Sequence, residues 1–257
     1  MITLIAEAKT MCEPNTGIDQ HELELHTPAG QKTADEIMGR VATLTVSEIA
    51  ERAKISSKMA VKLHRMAYEF PNKSVGIKAI EAFSGVVFKG FDYDTLSQEQ
   101  KGRADSEIAI ISSLYGWLNP DDIILPYRLE YNSLLAPDNR SLAEYWKKDV
   151  TINLVRQVQQ NGDTDILDLL PGDAAKSVDR KLVKRFAKIW KVDFKELQPG
   201  GEYRTPHSGR LKTLRGELLR EIIVRGITRP EQLLTLTTDT FLPLGTPDYP
   251  DHIAFCV

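Results

Sequence analysis

The 257-residue chain has two cysteines, Cys12 and Cys256, near opposite ends. With no disulfide framework and no CxxC pair, it fits a reducing, cytoplasmic compartment. Long apolar runs are also missing. The opening MITLIAEAKT reaches a Glu and a Lys after five apolar residues, too few for a signal peptide core or a membrane span, and it reads as a first β-strand. Neither sign of charge dominates. The net charge is −3, so the chain is no polycation, and any nucleic-acid role must come from local basic patches. The familiar nucleotide and nucleophile signatures (GxGxxG, the P-loop, GxSxG) do not occur. His21, His26, His64, His207 and His252 show no metal-ligand spacing, and the pair Asp92 and Asp94 lacks a third ligand and reads as a turn. No triad, internal repeat or low-complexity tract is evident. Neither a metal nor a cofactor is expected.

What is present is ordinary globular material, 42% hydrophobic and 27% charged, enough for one large domain or two small ones. One stretch, Ser113 to Asn132, organises the rest. Residues 97–118 read as a helix carrying Ile108, Ile110, Ile111, Leu114 and Leu118. It breaks at Asn119-Pro120, where proline fixes φ and removes a donor. Asp121 and Asp122 follow, and then Tyr127 to Tyr131 alternate as a strand does. Arg128 and Glu130 share one face, and Tyr127, Leu129 and Tyr131 the other. An Arg and a Glu side by side are either a site or a structural ion pair. Lys9, just past the first strand, is likewise either a cleft residue or a solvated loop lysine. Cys12 lies three residues from Lys9, which makes it either a thiol of lowered pKa or an inert one.

Residues 31–70 read as helical, with a helix–break–helix over 46–67. Three readings fit it: two packed helices, a helix-turn-helix, or a helix-hairpin-helix in which Ala53 to Ala60 echo the pattern PGIGxKxA. Ser56 and Lys54 stand where that pattern has glycine. Val86 to Phe88 reads as a strand. Ser141 caps a helix, a second covers 149–160, and 165–170 reads as a strand. Strand signals dominate 181–197, where Lys184, Arg185, Lys188, Lys191 and Lys195 interleave with apolar residues. That pattern suits a nucleic-acid face or a lysine-protected edge strand. Pro199-Gly200-Gly201 reads as a hairpin turn. A long helix spans Ser208 to Arg225 and stops at Gly226, with Leu211, Leu214, Leu218 and Ile222 as its buried stripe and Lys212 and Arg215 at its border. Residues 204–229 hold seven Lys/Arg and two Glu. Residues 253–257 read as a closing strand.

Several segments occur together in a family order. Ala8-Lys9-Thr10 resembles the ending of SPAKT, and Ala82 to Gly90 resembles AFxGDVYxG. Ser113 to Glu130 resembles SGLYGxLRPLDxxxPYRLEM. Tyr145-Trp146 resembles FW, and Lys212 with Leu214-Arg215-Gly216 resembles AKxARG. Across nearly its whole length the chain thus resembles the YaaA-like peroxide-stress family. The resemblance implies a single α/β (α+β) domain over 1–257, of unusual topology. It has a mixed sheet with surrounding helices and a helix-hairpin-helix-like element at about 46–67. It implies a positively charged cleft gathering Lys9, Tyr115, Arg128, Glu130, Lys212 and Arg215, and a cytosolic protein that binds DNA and limits peroxide damage. The expected partner is duplex or branched DNA, read with little sequence specificity. Its phosphates would meet Lys54, Ser56, Lys58, Lys62, Arg65, Arg210, Lys212 and Arg215. The alternative is an enzyme acting on a nucleobase, nucleotide or damaged DNA. Arg128 would hold an anion, Glu130 would act as acid or base, and Lys9 would be nucleophile or electrostatic stabiliser. The chain departs from the pattern at Ala6-Glu7, Ser113, Asn119 and Val86, and matches 171–177 only through Lys176-Ser177-Val178. Glu7 adds negative charge where the cleft should be basic, which points to a diverged substrate or partner.

Overall fold

Buried apolar strands carry the architecture. The computed structural model describes residues 1–16, 18–70, 75–245 and 251–257. Its strands are β1 (Ile2–Ala6), β2 (Asn15–Thr16), β3 (Val75–Lys78), β4 (Ile108–Ser112), β5 (Gly116–Leu118), β6 (Ile123–Ile124), β7 (Asp165–Asp168), β8 (Lys188–Leu197), β9 (Tyr203–Arg204), β10 (Leu242–Pro243) and β11 (His252–Cys256). Its helices are α1 (Gln20–Leu25), α2 (Gln31–Thr43), α3 (Val46–Ala53), α4 (Ser57–Glu69), α5 (Ala79–Ala82), α6 (Val86–Phe91), α7 (Gln98–Glu107), α8 (Leu142–Asn161), α9 (Arg180–Val183) and α10 (Ser208–Arg225).

The main sheet runs β10-β11-β8-β7-β1-β4-β5, with β9 paired to β8. From β11 to β4 all neighbours are parallel, and β5 and β10 close the two ends antiparallel. Strands buried on both faces read as near-continuous apolar runs, as in the ITLI of β1, interrupted by Thr3, and the IAII of β4. A small antiparallel sheet, β2-β3-β6, stands apart. The fold is thus mixed α/β. From β1 the chain passes outward to β4. It then returns across β1 to β7 and continues to β8 and β11 on the other side. The gap beyond the carboxyl ends of β1 and β7 is therefore a topological switch point, where open α/β sheets leave a crevice.

Several expectations are corrected. Residues 97–118 are not one helix. The helix α7 ends at Glu107, and Ile108–Ser112 and Gly116–Leu118 are strands. A short apolar run cannot be told from a buried helix by periodicity alone. Residues 127–131 are not a strand: 127–130 have no regular structure and Tyr131 lies in a turn, although Tyr127 and Leu129 are buried as the alternation requires. Val86 to Phe88 open the helix α6, because packing against α10 overrides their strand propensity. Residues 142–161 form one continuous helix, not two. The short helix α9 precedes β8. The lysines of β8 do not guard an edge, since β8 is hydrogen-bonded to β7 on one side and β11 on the other.

Other readings hold. The helix α10 spans Ser208–Arg225 and ends at Gly226 in the left-handed conformation (φ 63°). Pro199-Gly200-Gly201 turns the chain into β9. The pair α3–α4 is present, with a capping box at Thr45 and Glu48. The turn between these helices puts Lys54 in the left-handed conformation (φ 56°), and Ser56 caps α4. This is a tight helix pair whose backbone turn is made without glycine. Among the described residues no helix is long and apolar enough to cross a membrane.

Candidate functional site

The crevice at the switch point is occupied by a cleft of about 410 Å³. The loop after β1 (Glu7, Ala8, Lys9), the start of α6, the segment Leu129–Tyr131 and the loop after β7 form its walls, and α10 adds Lys212 and Arg215.

Close backbone packing sets those walls. A Cβ on Gly216 would stand 2.2 Å from the carbonyl oxygen of Val87, and one on Gly90 would stand 3.1 Å from that of Thr213. The two glycines let α10 cross directly on α6, which brings Lys212 and Arg215, three residues apart on one helix face, over the cleft. Gly85 is crowded too, since its Cβ would meet that of Ala8 at 2.6 Å.

One side of the cleft is electrically paired. The Lys9 ammonium meets a Glu130 carboxylate oxygen at 2.5 Å. Arg128 lies outside the cleft lining and donates from Nη1 to the Lys9 carbonyl oxygen at 2.7 Å, so it fixes the β1 exit loop. Glu130 is anchored in turn. Its backbone N–H donates to Ser133 Oγ at 3.2 Å, and Ser133 Oγ donates to the Ala53 carbonyl at 3.3 Å, tying the cleft wall to the end of α3.

The floor carries Glu7, which the sequence marks only as a departure. Its Oε2 accepts the Ser113 backbone N–H at 2.8 Å and the Tyr127 hydroxyl. Ser112 Oγ lies 2.7 Å from the Tyr127 oxygen and accepts the amides of Leu114 and Tyr115. With its lone pairs taken, Ser112 donates to Tyr127, and Tyr127 donates to Glu7. Burial pushes the Glu7 carboxyl up from its ordinary value to about 7, against the lowering effect of the bonds from Ser113 and Tyr127. Near neutral pH this group therefore both takes and gives a proton. Burial thus works against the charge that the sequence placed in a basic cleft.

The opposite wall is cationic. Neither Lys212 nor Arg215 has a hydrogen bond or ion pair among the described residues. Arg215 is half-buried, and burial holds its guanidinium below the usual value while the charges of Asp168 and Asp193 oppose that shift. Asp168 is itself committed, bonded to Arg180 and to the Leu170 amide. The remaining acid of the lining, Asp173, lies 3.8 Å from Lys176.

Of the residues expected in the cleft, the structure brings together Lys9, Glu130, Lys212 and Arg215. Tyr115 does not join them. It is buried in the core, where its hydroxyl accepts the Leu125 amide at 3.1 Å. Lys54, Ser56, Lys58, Lys62 and Arg65 are exposed along α3–α4, and Arg65 pairs with Glu69 at 2.9 Å. Arg210 is exposed at the start of α10. Cys12 is an exposed free thiol, and the Lys9 ammonium is turned to Glu130. Asp92 ends α6 and lies 3.8 Å from Arg220. Among the described residues no group of three or more His, Cys, Asp or Glu could hold a metal ion.

The model of a family described as "Peroxide stress protein YaaA" matches residues 1–242. A UPF0246 protein of Shewanella sp. strain ANA-3 is 34% identical over 240 residues, which is 91% of this chain and 90% of the relative. A UPF0246 protein of Shewanella oneidensis is 32% identical over 98% of both chains. One from Francisella tularensis subsp. novicida is 28% identical over 100% of this chain and 99% of its own. The chain belongs to the peroxide stress protein YaaA family.

Proposed function

We propose that this protein binds DNA, with little sequence preference, as part of the cellular response to hydrogen peroxide. The α3–α4 pair carries the reading. The first turn of α4 has backbone N–H groups without intrahelical acceptors, of which Ser56 caps that of Met59, and the exposed Lys54 and Lys58 lie at that end with Lys62 one turn further on. Lys54 takes the left-handed conformation in the connecting turn, where a hairpin element of this kind ordinarily uses glycine. Helix amides aimed outward with lysines beside them suit a phosphate of the duplex backbone, which positions a protein without reading bases. In this reading α3–α4 grips the backbone, as a helix-hairpin-helix-like element, and the exposed Arg210 adds charge at a second point. The protein acts in the cytoplasm, where such DNA lies.

The test is fluorescence anisotropy with labelled linear, bulged and four-way DNA across a salt series. Affinity should fall steeply with salt and differ little between sequences. No detectable binding at low salt ends the reading.

One observation favours a second reading, an enzyme acting on a nucleobase, nucleotide or damaged DNA. Glu7, Lys9 and Glu130 line one cleft at the switch point, and the Glu7 carboxyl is held near pH 7, where a general acid or base works best. Glu7 then replaces Glu130 as the proton-transfer group, and Glu130 orients Lys9. Turnover that survives Glu7→Gln unchanged would remove this assignment.

A further inference from the structure

A half-buried guanidinium with no carboxylate bonded to it is costly unless something else supplies the charge. Arg215 is in that position. The two acids whose charges reach it are engaged elsewhere, Asp168 with Arg180 and Asp193 with His252 at 3.4 Å, and of the acids lining the cleft Glu130 pairs with Lys9 and Asp173 lies 3.8 Å from Lys176. Lys212 adds a second cation on the same helix face, also without a partner among the described residues. The glycine contact between α6 and α10 holds both in place, so the pair is built into the helix crossing. Ile5, Val87, Leu129 and Pro171 give the lining an apolar part, beside the Lys9–Glu130 pair, Asp173 next to Lys176, and Glu7 on the floor. The volume, about 410 Å³, is that of a small-molecule site, which typically measures about 300–1,000 Å³. At neutral pH a phosphomonoester carries a charge of about −1.5 to −2, which two cations match, whereas a backbone phosphodiester carries about −1.

We propose that the switch-point cleft is a binding site for a small phosphomonoester of mononucleotide size, its phosphate held by Lys212 and Arg215 and its polar end hydrogen-bonded to Glu7. Arg215 offers a planar fork suited to two phosphate oxygens, and Lys212 a mobile point charge at the mouth. The apolar walls enclose the body of the ligand. The proposal rests on the second reading of the cleft, as a small-ligand site, and does not depend on DNA contact by α3–α4.

The experiment is calorimetric titration of the full chain at fixed ionic strength with AMP, adenosine and inorganic phosphate. AMP should bind, adenosine should not, and inorganic phosphate should compete with AMP. Lys212→Gln and Arg215→Gln should each weaken AMP binding by about tenfold or more, the loss expected for a hydrogen bond to a charged group. Lys212 is exposed, so its variant tests the site without a folding question. Lys148→Gln, which removes an exposed charge on α8, should leave AMP binding unchanged. Absence of AMP binding in the unmodified protein overturns the proposal, as does equal binding of AMP and adenosine or equal loss in all three variants. A DNA duplex tested as competitor separates the two functional readings. If it displaces AMP, and Lys212→Gln and Arg215→Gln lose duplex and AMP equally, the cleft is a backbone site. The phosphomonoester proposal then fails while DNA binding stands.

Discussion

The cleft and the α3–α4 pair both concentrate charge, but in opposite ways. In the cleft the charges are few, close and partly buried: Lys9 is tied to Glu130, Glu7 is bonded to Tyr127 and Ser113, and Arg215 is desolvated. On α3–α4 the basic groups are exposed and spread along a surface. Buried charge is expensive and gains energy only from a ligand of matching geometry. Exposed charge costs little and suits a polyanion that displaces counterions over many contacts. One molecule thus carries a spread, exposed basic surface and a compact, partly buried charged pocket. The loop holding Glu130 joins them through Ser133 and Ala53.

The largest effect should come from breaking the helix crossing behind the cleft. Gly216→Ala puts a Cβ against the Val87 carbonyl and should cost about 3 kcal/mol, the upper end for overpacking, read by denaturant unfolding. A cost below about 0.5 kcal/mol would show that α10 is free to shift.

Glu7→Gln sharpens the contrast through pH. The folded carboxyl titrates near 7 and the unfolded one near 4.5, so the folded state binds the extra proton between those values. Its contribution to stability is fully present below about pH 4.5 and is lost as pH rises to about 7. The loss is roughly 3 kcal/mol, from 1.36 kcal/mol per unit. The variant should lack that fall and be the more stable protein at pH 8. Buried Asp122, pushed up to about 6, adds a fall of the same sign at lower pH that persists in the variant. Identical stability profiles for the two proteins over pH 4.5–8 would count against a buried, proton-holding Glu7.

Lys58→Glu with Lys62→Glu tests the other region. Duplex affinity should drop about 30-fold, near 2 kcal/mol, and the salt slope should shrink by about two. Thermal stability should stay within about 0.5 kcal/mol, because both residues are exposed. Unchanged duplex affinity would remove α3–α4 from the interface.

The smallest effect belongs to Glu130→Gln. The Lys9 side chain is 56% exposed, so the pair should contribute less than about 1 kcal/mol to stability. A much larger loss in a thermal melt, with DNA binding intact, would make Lys9–Glu130 a structural staple.

Much of the framework was legible in the sequence because local chemistry decides it. The helix α10 ends where Gly226 permits a left-handed residue, α3 begins where Thr45 and Glu48 can form a capping box, and β9 returns where Gly201 takes φ 85°. The site was legible in part. Lys9, Glu130, Lys212 and Arg215 were expected together from motif order and do line one cleft. Glu7 was placed in the cleft as an added negative charge, but its protonation was not legible, since a buried carboxyl looks like any other until Tyr127 and Ser113 are brought to it. Tyr115 was misassigned, because neighbours along the chain diverge in space once Ser112 ends a strand and Gly116 starts another.

By itself the sequence determined the caps and stops of α3 and α10, that β1 is buried, and which basic residues share a helix face, because turns, caps and periodicity act over a few residues. Only the tertiary structure decided that Val86 to Phe91 is helical, that β8 is an interior strand, and that Glu7 holds its proton near neutrality. Each depends on partners distant in the chain: α10 against α6, β11 beside β8, Tyr127 over Glu7. Burial and charge pairing are properties of those encounters, and no window of local sequence contains them.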